Sequence, residues 1–350
     1  MSESDEVLCE RRGAAGVIVL NRPAALNALT LGMVRGMRRA LDAWAADPAI
    51  TRIVLTGAGG KAFCAGGDVR RLHDLGRAGE FAEALTFWRE EYQLNTLIHR
   101  FPKPYLSLID GIVMGGGVGV SLHGRYRVAG ERYLFAMPEV AIGFFPDVGA
   151  TYALPRLPGE TGTYLALTGD RIRTADAITL GLTTHAVPSA AMAPLQDALA
   201  AGEPVGEALA RFTHDPGPAP IAAHRRVIDH CFAADSVSAI LARLEEAAAS
   251  GSGFARAAAE TMRSKSPMSL CLALEQMRRG RSLSFEDAMR VEFRVVSRII
   301  EGHDFYEGVR AALIDRDGAP RWQPPTLDAV QREDIERHFA DLGSGELALP

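Results

Sequence analysis

The chain has 350 residues, 47% of them hydrophobic and 23% charged, with a formal net charge of −5. That is enough apolar material for a sizeable soluble core, and too little basic charge for a nucleic-acid-binding face. No run of about 18 apolar residues occurs, so no segment is expected to span a membrane.

In chain order, the first half alternates short strands with helices. Val17-Ile18-Val19-Leu20 is a strand stopped by Asn21-Arg22-Pro23. Thr30 is placed to cap a helix in which Met33, Met37, Leu41 and Trp44 recur at helical spacing. A second strand spans Ile53 to Thr56, residues 81–100 read as a helix ended by Pro102 and Pro104, and Tyr105 to Ile109 is a third strand. Arg127-Val128-Ala129 and Leu134-Phe135-Ala136 are expected as short strands around a turn. Such alternation predicts an α/β architecture. Beyond about Pro188 the sequence turns Ala-rich and helical, with loops at residues 215–218 and 250–253. Ser284 is expected to cap a helix with Phe285, Met289, Phe293, Val296 and Ile300 on one stripe, and Asp304 to cap another, three residues before Glu307. The reading divides the chain into a core at 1–190 and a mainly helical region at 191–350, a lid or assembly element.

Cys9, Cys64, Cys231 and Cys271 have neither paired nor metal-like spacing, and no histidine falls in a HExxH pattern. Reduced thiols and no catalytic metal are therefore expected. The acidic start, without an apolar run or an arginine-rich leader, predicts a cytoplasmic protein, and the Arg and Ala richness suggests a GC-rich bacterial genome.

Two glycine-rich loops carry the chemistry: Phe63-Cys64-Ala65-Gly66-Gly67-Asp68 and Met114-Gly115-Gly116-Gly117-Val118-Gly119. Where such a loop opens a helix, its free N–H groups face outward with the positive dipole end. One N–H from each loop would make a hole for the oxyanion of a thioester reaction. Taken singly, each loop reads more readily as a tight strand-to-helix turn, because glycine turns are common. A dinucleotide fingerprint fails, since Val120 stands where the third glycine belongs. Downstream, Glu139 and Asp147 sit among apolar residues and glycines in FAMPE and FPDVG. Burial there would raise their pKa values toward neutrality. Each alone could also be a cap or an ion-pair member.

Residues 10–190 resemble the enoyl-CoA hydratase/isomerase (crotonase) superfamily. MGGGVGVSLHGRYRVAGERYLFAMPEVAIGFFPDVGATYALPRLPG, LALTGDRIRTADAITLGLTTHAV and DFYEGVRAALIDRDGAPRW extend a resemblance to the 3-hydroxyisobutyryl-CoA hydrolase family over most of the chain. This implies a crotonase-like ββα spiral core with a C-terminal helical region. It implies hydrolysis of a short 3-hydroxyacyl-CoA, as in valine catabolism. By the same resemblance Gly67 and Gly116 donate the oxyanion-hole N–H groups, and Glu139 attacks the carbonyl or activates water. Asp147 binds the substrate hydroxyl or moves a proton, and Glu91 contacts substrate unless it is a solvated helix charge. Hydratases of the superfamily carry a second glutamate where this chain has Gly119, which favours hydrolysis. An enoyl-CoA hydratase or isomerase and a non-catalytic CoA-ester binder are the alternatives. The expected partners are an acyl-CoA substrate and further copies of the chain, as a trimer or hexamer, with no nucleic acid or membrane and no cofactor beyond the substrate's own CoA. His123 and Cys64 are expected as structural residues, and Arg156 as an anchor for structure or for CoA phosphates.

Overall fold

The computed structural model describes residues 6–349, and the acidic residues 1–5 lie outside the described residues. Strands β1 (Val7–Arg12), β2 (Ala15–Leu20), β3 (Arg52–Gly57), β5 (Tyr105–Ile109), β7 (Tyr126–Ala129) and β9 (His185–Ala186) form a six-stranded sheet in the order β1-β2-β3-β5-β7-β9. A second, three-stranded sheet has the order β4-β6-β8, from β4 (Ala62–Cys64), β6 (Ile112–Met114) and β8 (Leu134–Ala136). Among these strands only the β1–β2 pair is antiparallel. β7 and β8 were expected to flank a turn as neighbours. They lie in different sheets, because β7 follows β5 and β8 follows β6.

Parallel strands covered on both faces need apolar residues on both. Val17, Val54, Leu106 and Val128 face α8 (Met192–Ala200) and α9 (Val205–Phe212), which follow α5 (Ala150–Ala153), α6 (Thr161–Thr168) and α7 (Thr174–Leu180) in the chain. Ile18, Ile53, Leu55 and Ile109, pointing the other way, join the main core with α1 (Leu31–Ala46) and α3 (Phe81–His99). Thr30 caps α1 as expected, its hydroxyl accepting from the Met33 N–H at 3.2 Å, which stabilises a helix start by about 1 kcal/mol. Met33, Met37 and Leu41 are buried along that helix.

The sheets position the site. The chain passes from β3 to β4 to helix α2 (Val69–Arg77), then from β5 to β6 to α4 (Gly116–Leu122), then from β7 to β8 and a 3-10 turn at Glu139–Ile142. Because β4, β6 and β8 are adjacent and parallel, with Cys64 opposite Val113 and Met114 opposite Ala136, the segments leaving them emerge side by side. Carboxyl ends of parallel strands are where open α/β sheets bind ligands.

The C-terminal helices α10 (Arg225–Phe232), α11 (Val237–Ala249), α12 (Gly253–Arg263), α13 (Pro267–Gly280), α14 (Phe285–Ile299), α15 (Asp304–Val309) and α16 (Arg332–Phe339) share the main core. Ser284 caps α14, and the expected stripe from Phe285 to Ile300 is buried. Asp304 is no cap. Its carboxylate instead accepts from Ser266 Oγ at 2.6 Å and from the Gln323 N–H at 2.7 Å, tying three segments together. Among the described residues no helix is long and apolar enough to cross a membrane.

Candidate active site

Gly67 and Gly116 end up on facing loops. A Cβ built on Gly115 would lie 3.2 Å from Gly66 Cα and 3.4 Å from Glu139 Oε1, so the Glu139 carboxylate stands in the gap between the loops. Gly115 has φ +46 and Gly66 φ +121, conformations that side chains with a Cβ rarely adopt. The loop contact therefore selects glycine twice over. Gly116 begins α4, and its N–H has no acceptor within the helix. At the other loop the flanking amides are spent, Asp68 N on Leu29 O at 2.9 Å and Ala65 N on Leu26 O at 3.0 Å. Among the described residues, the Gly67 N–H is not one of the hydrogen-bond donors.

These atoms line a cavity of about 240 Å³ together with Glu91, Asp147, Trp88, Phe144 and Phe305. One wall is acidic and the other aromatic. Trp88 stacks on Phe144 with ring centroids 5.7 Å apart and meets Phe305 edge-on at 6.1 Å. Phe305 and Leu313 come from the C-terminal segment, so the chain covers its own site. Close backbone approach fixes that cover: a Cβ on Gly308 would strike Ile142, and one on Gly143 would strike Asp304 O.

The carboxylates are almost wholly enclosed: Glu91 is 2% exposed, Glu139 7% and Asp147 5%. Burial rules out the alternative for Glu91, a solvated helix charge, and leaves it facing the cavity. Trp88, Glu91 and Tyr92 sit on the buried face of α3, and among the described residues Glu91 Oε1 and Glu139 Oε2 have no hydrogen-bond partner. Burial, reinforced by the Asp147 charge, holds both carboxyls well above the usual range. Burial also lifts Asp147 to about 7, against the opposing hydrogen bond donated by Tyr92 Oη to its Oδ2 at 2.8 Å.

Asp147 lies on a strained turn. Val148 has φ +53, unfavourable for a β-branched side chain, and Gly149 has φ +91. His123, at the end of α4, donates from Nε2 to Val148 O at 2.6 Å, and burial lowers its pKa to about 3. It is a neutral structural donor, as expected. Cys64 is also structural: burial pushes its thiol up to about 12, far from a reactive thiolate. Arg156 spends its guanidinium on the carbonyls of Tyr152, Gly280 and Leu283 and lies over the Tyr152 ring, so it anchors structure.

Gly119 is packed tight. A Cβ there would lie 2.7 Å from Val148 Cβ and 2.8 Å from Asn95 Nδ2, leaving no room for a longer side chain. Sequence reasoning missed Tyr92, Gln276 and Glu292 around the Asp147 turn, and the aromatic wall. Their spacing in the chain carries no motif. A buried charge on the apolar stripe of α14 was the one available signal for Glu292.

The enoyl-CoA hydratase/isomerase family model matches residues 15–339. Mitochondrial 3-hydroxyisobutyryl-CoA hydrolases from Xenopus tropicalis and Homo sapiens are 45% and 44% identical over 354 residues, covering 98% of this chain and 91% of each relative. Two solved structures superpose over 98% of the chain. They are a carnitinyl-CoA dehydratase from Mycobacterium thermoresistibile (43% identity, 98% of that chain, TM-score 0.93) and an enoyl-CoA hydratase from Rhodobacter sphaeroides 2.4.1 (41%, 100% of that chain, TM-score 0.92). The curated relatives are mitochondrial enzymes, which overturns the cytoplasmic expectation: an acidic start is no guide to compartment. The chain belongs to the enoyl-CoA hydratase/isomerase (crotonase) family, on its 3-hydroxyisobutyryl-CoA hydrolase branch.

Proposed function

We propose that this protein hydrolyses 3-hydroxyisobutyryl-CoA to 3-hydroxyisobutyrate and free CoA. The observation that carries the reading is the Glu139 carboxylate standing between two glycine loops, Oε1 3.4 Å from a Cβ position on Gly115. The thioester oxygen sits between the N–H groups of Gly67 and Gly116. Glu139, as the anion, promotes attack on the carbonyl carbon, directly or by taking a proton from water. Negative charge gathers on the oxygen, and collapse of the tetrahedral species expels the CoA thiolate. When water itself attacks, its oxygen enters the product carboxylate; when Glu139 attacks, a mixed anhydride forms and water then opens it. In a single turnover in ¹⁸O-water, label in Glu139 with an unlabelled product marks direct attack followed by opening at the Glu139 carbonyl, an outcome the water route cannot give.

Asp147 and Glu91 face the same cavity and bind the substrate's 3-hydroxyl, while the aromatic wall takes the apolar part of the ligand. Asp147, raised to about 7, is poised to accept or donate a proton near neutrality. The reaction needs no cofactor, because CoA arrives as part of the substrate. The chain's own C-terminal segment contributes Phe305 and Leu313 to the cavity, and the proposed assembly is a trimer or hexamer.

The names of the two solved relatives favour a second reading, addition or removal of water across a carbon–carbon double bond. The crowding at Gly119 opposes it, since the second glutamate cannot be housed there. Incubation with 3-hydroxyisobutyryl-CoA, read by a thiol reagent, separates the two. Wild-type enzyme releases thiol, and Glu139→Gln binds the ester but releases none. Changing enoyl absorbance without free thiol supports the second reading, and wild-type turnover by the variant removes Glu139 from its role.

A further inference from the structure

Two buried polar side chains reach the Asp147 turn from the C-terminal helices without touching the cavity. Glu292 of α14, 0% exposed, accepts from the Gly149 N–H at 2.8 Å with one carboxylate oxygen and from the Thr151 N–H at 2.9 Å with the other. Gln276 of α13, 1% exposed, donates to Pro146 O and to Thr151 Oγ1 at 2.6 Å. The pair grips the backbone on both sides of Asp147. Neither residue lines the active-site cavity.

Between these grips Val148 takes a left-handed conformation, φ +53. A β-branched residue holds such a state only where its surroundings over-determine it. His123 holds the Val148 carbonyl, so Glu292 and Gln276 supply the remaining hydrogen bonds on either side of it, and without them the turn would lose the contacts that fix residues 146, 149 and 151 beside Asp147. A buried carboxylate is also an expensive group to keep unless its hydrogen bonds do something a cheaper residue could not. Here both oxygens accept from amides, a task a glutamine cannot repeat, because its –NH₂ would face one N–H donor with another.

We infer that Glu292 and Gln276 are positioning residues that hold the Asp147 turn in its left-handed shape, so that the C-terminal helices set catalytic geometry as well as covering the site. The inference rests on the proposed role of Asp147 and extends it. It attributes to α13 and α14 a function that acts only through that aspartate.

A double-mutant cycle on thiol release from 3-hydroxyisobutyryl-CoA tests this, using Asp147→Asn, Glu292→Gln and the combined variant, each checked for folding by thermal melt. Glu292→Gln should lower kcat at least about tenfold with KM changed less than about threefold, and should cost less than about twofold once Asp147 is already Asn. A residue supporting only the fold would give losses that multiply, and that result overturns the inference while leaving the role of Asp147 intact. Wild-type turnover by Asp147→Asn overturns the role of Asp147 and the inference together. Should Glu292→Gln fail to fold, Gln276→Met, similar in shape and without the amide, enters the same cycle with the same criteria.

Discussion

Replacing Asp147 by Asn should make the unliganded protein less sensitive to rising pH than the wild type. Asp147 is 5% exposed, and burial lifts its carboxyl from 3.8 to about 7. Each pKa unit corresponds to 1.36 kcal/mol, so the fold disfavours the ionised carboxyl by about 4 kcal/mol. The sign follows from proton counting. Below pH 4 both folded and unfolded chains carry the proton and nothing is lost. Between about 4 and 7 the unfolded chain releases it while the folded one keeps it, so stability falls as pH rises and levels off above 7. Of the total, about 3 kcal/mol falls between pH 5 and pH 8. Asparagine does not titrate, and its carbonyl still accepts from Tyr92 Oη. Urea unfolding at the two pH values measures the effect. The wild type should lose about 3 kcal/mol more than the variant over this interval. Glu91, Glu139 and Glu292 are raised by burial and further by the Asp147 charge, so removing that charge flattens the variant's curve at these groups too and widens the difference in the same direction. Equal losses in the two proteins would refute the assignment of a raised pKa to Asp147.

Gly116→Ala would place a Cβ 2.5 Å from Glu91 Oε1 and 3.0 Å from Leu29 Cδ1, pushing the loop amide out of line. Losing one oxyanion donor costs about 2.7–4 kcal/mol of barrier, so kcat should drop roughly a hundred- to a thousandfold. Turnover within tenfold of wild type would take Gly116 out of the hole. Installing the missing hydratase carboxylate by Gly119→Glu should produce no hydration of enoyl-CoA and should destabilise the fold by about 1–3 kcal/mol or more through overpacking. A melt unchanged from wild type would show that the contacts with Val148 and Asn95 are not as tight as described. Because Glu139 must be ionised to act and burial raises its pKa, kcat should decline as pH falls from neutrality. A profile flat down to pH 5 would contradict that role.

Much of the site was legible because its parts are local. Each glycine loop, FAMPE and FPDVG is a contiguous segment, and the backbone constraints that select glycine at 66 and 115 leave their mark at single positions. Glu91 was harder to read. Its neighbours Glu90 and Arg89 are charged, and only the packing of α3 shows that residue 91 faces inward while Glu90 pairs with Arg35 on the surface. The strands β4 and β6 escaped notice because they run directly into the glycine loops, and in sequence Phe63, Cys64 and Met114 read as parts of those loops.

Strand runs, helix caps and the family of the chain follow from amino-acid order alone, since propensity, capping and motif spacing are properties of neighbouring residues. The side-by-side exit of the three segments that form the candidate site depends on the order β4-β6-β8, which pairs strands beginning at residues 62, 112 and 134. The aromatic wall closed by Phe305, and the grip of Glu292 and Gln276 on residues 146–151, depend on contacts across more than a hundred residues. Such contacts arise only when distant surfaces pack, and packing selects partners by shape and burial, which leave no spacing rule along the chain.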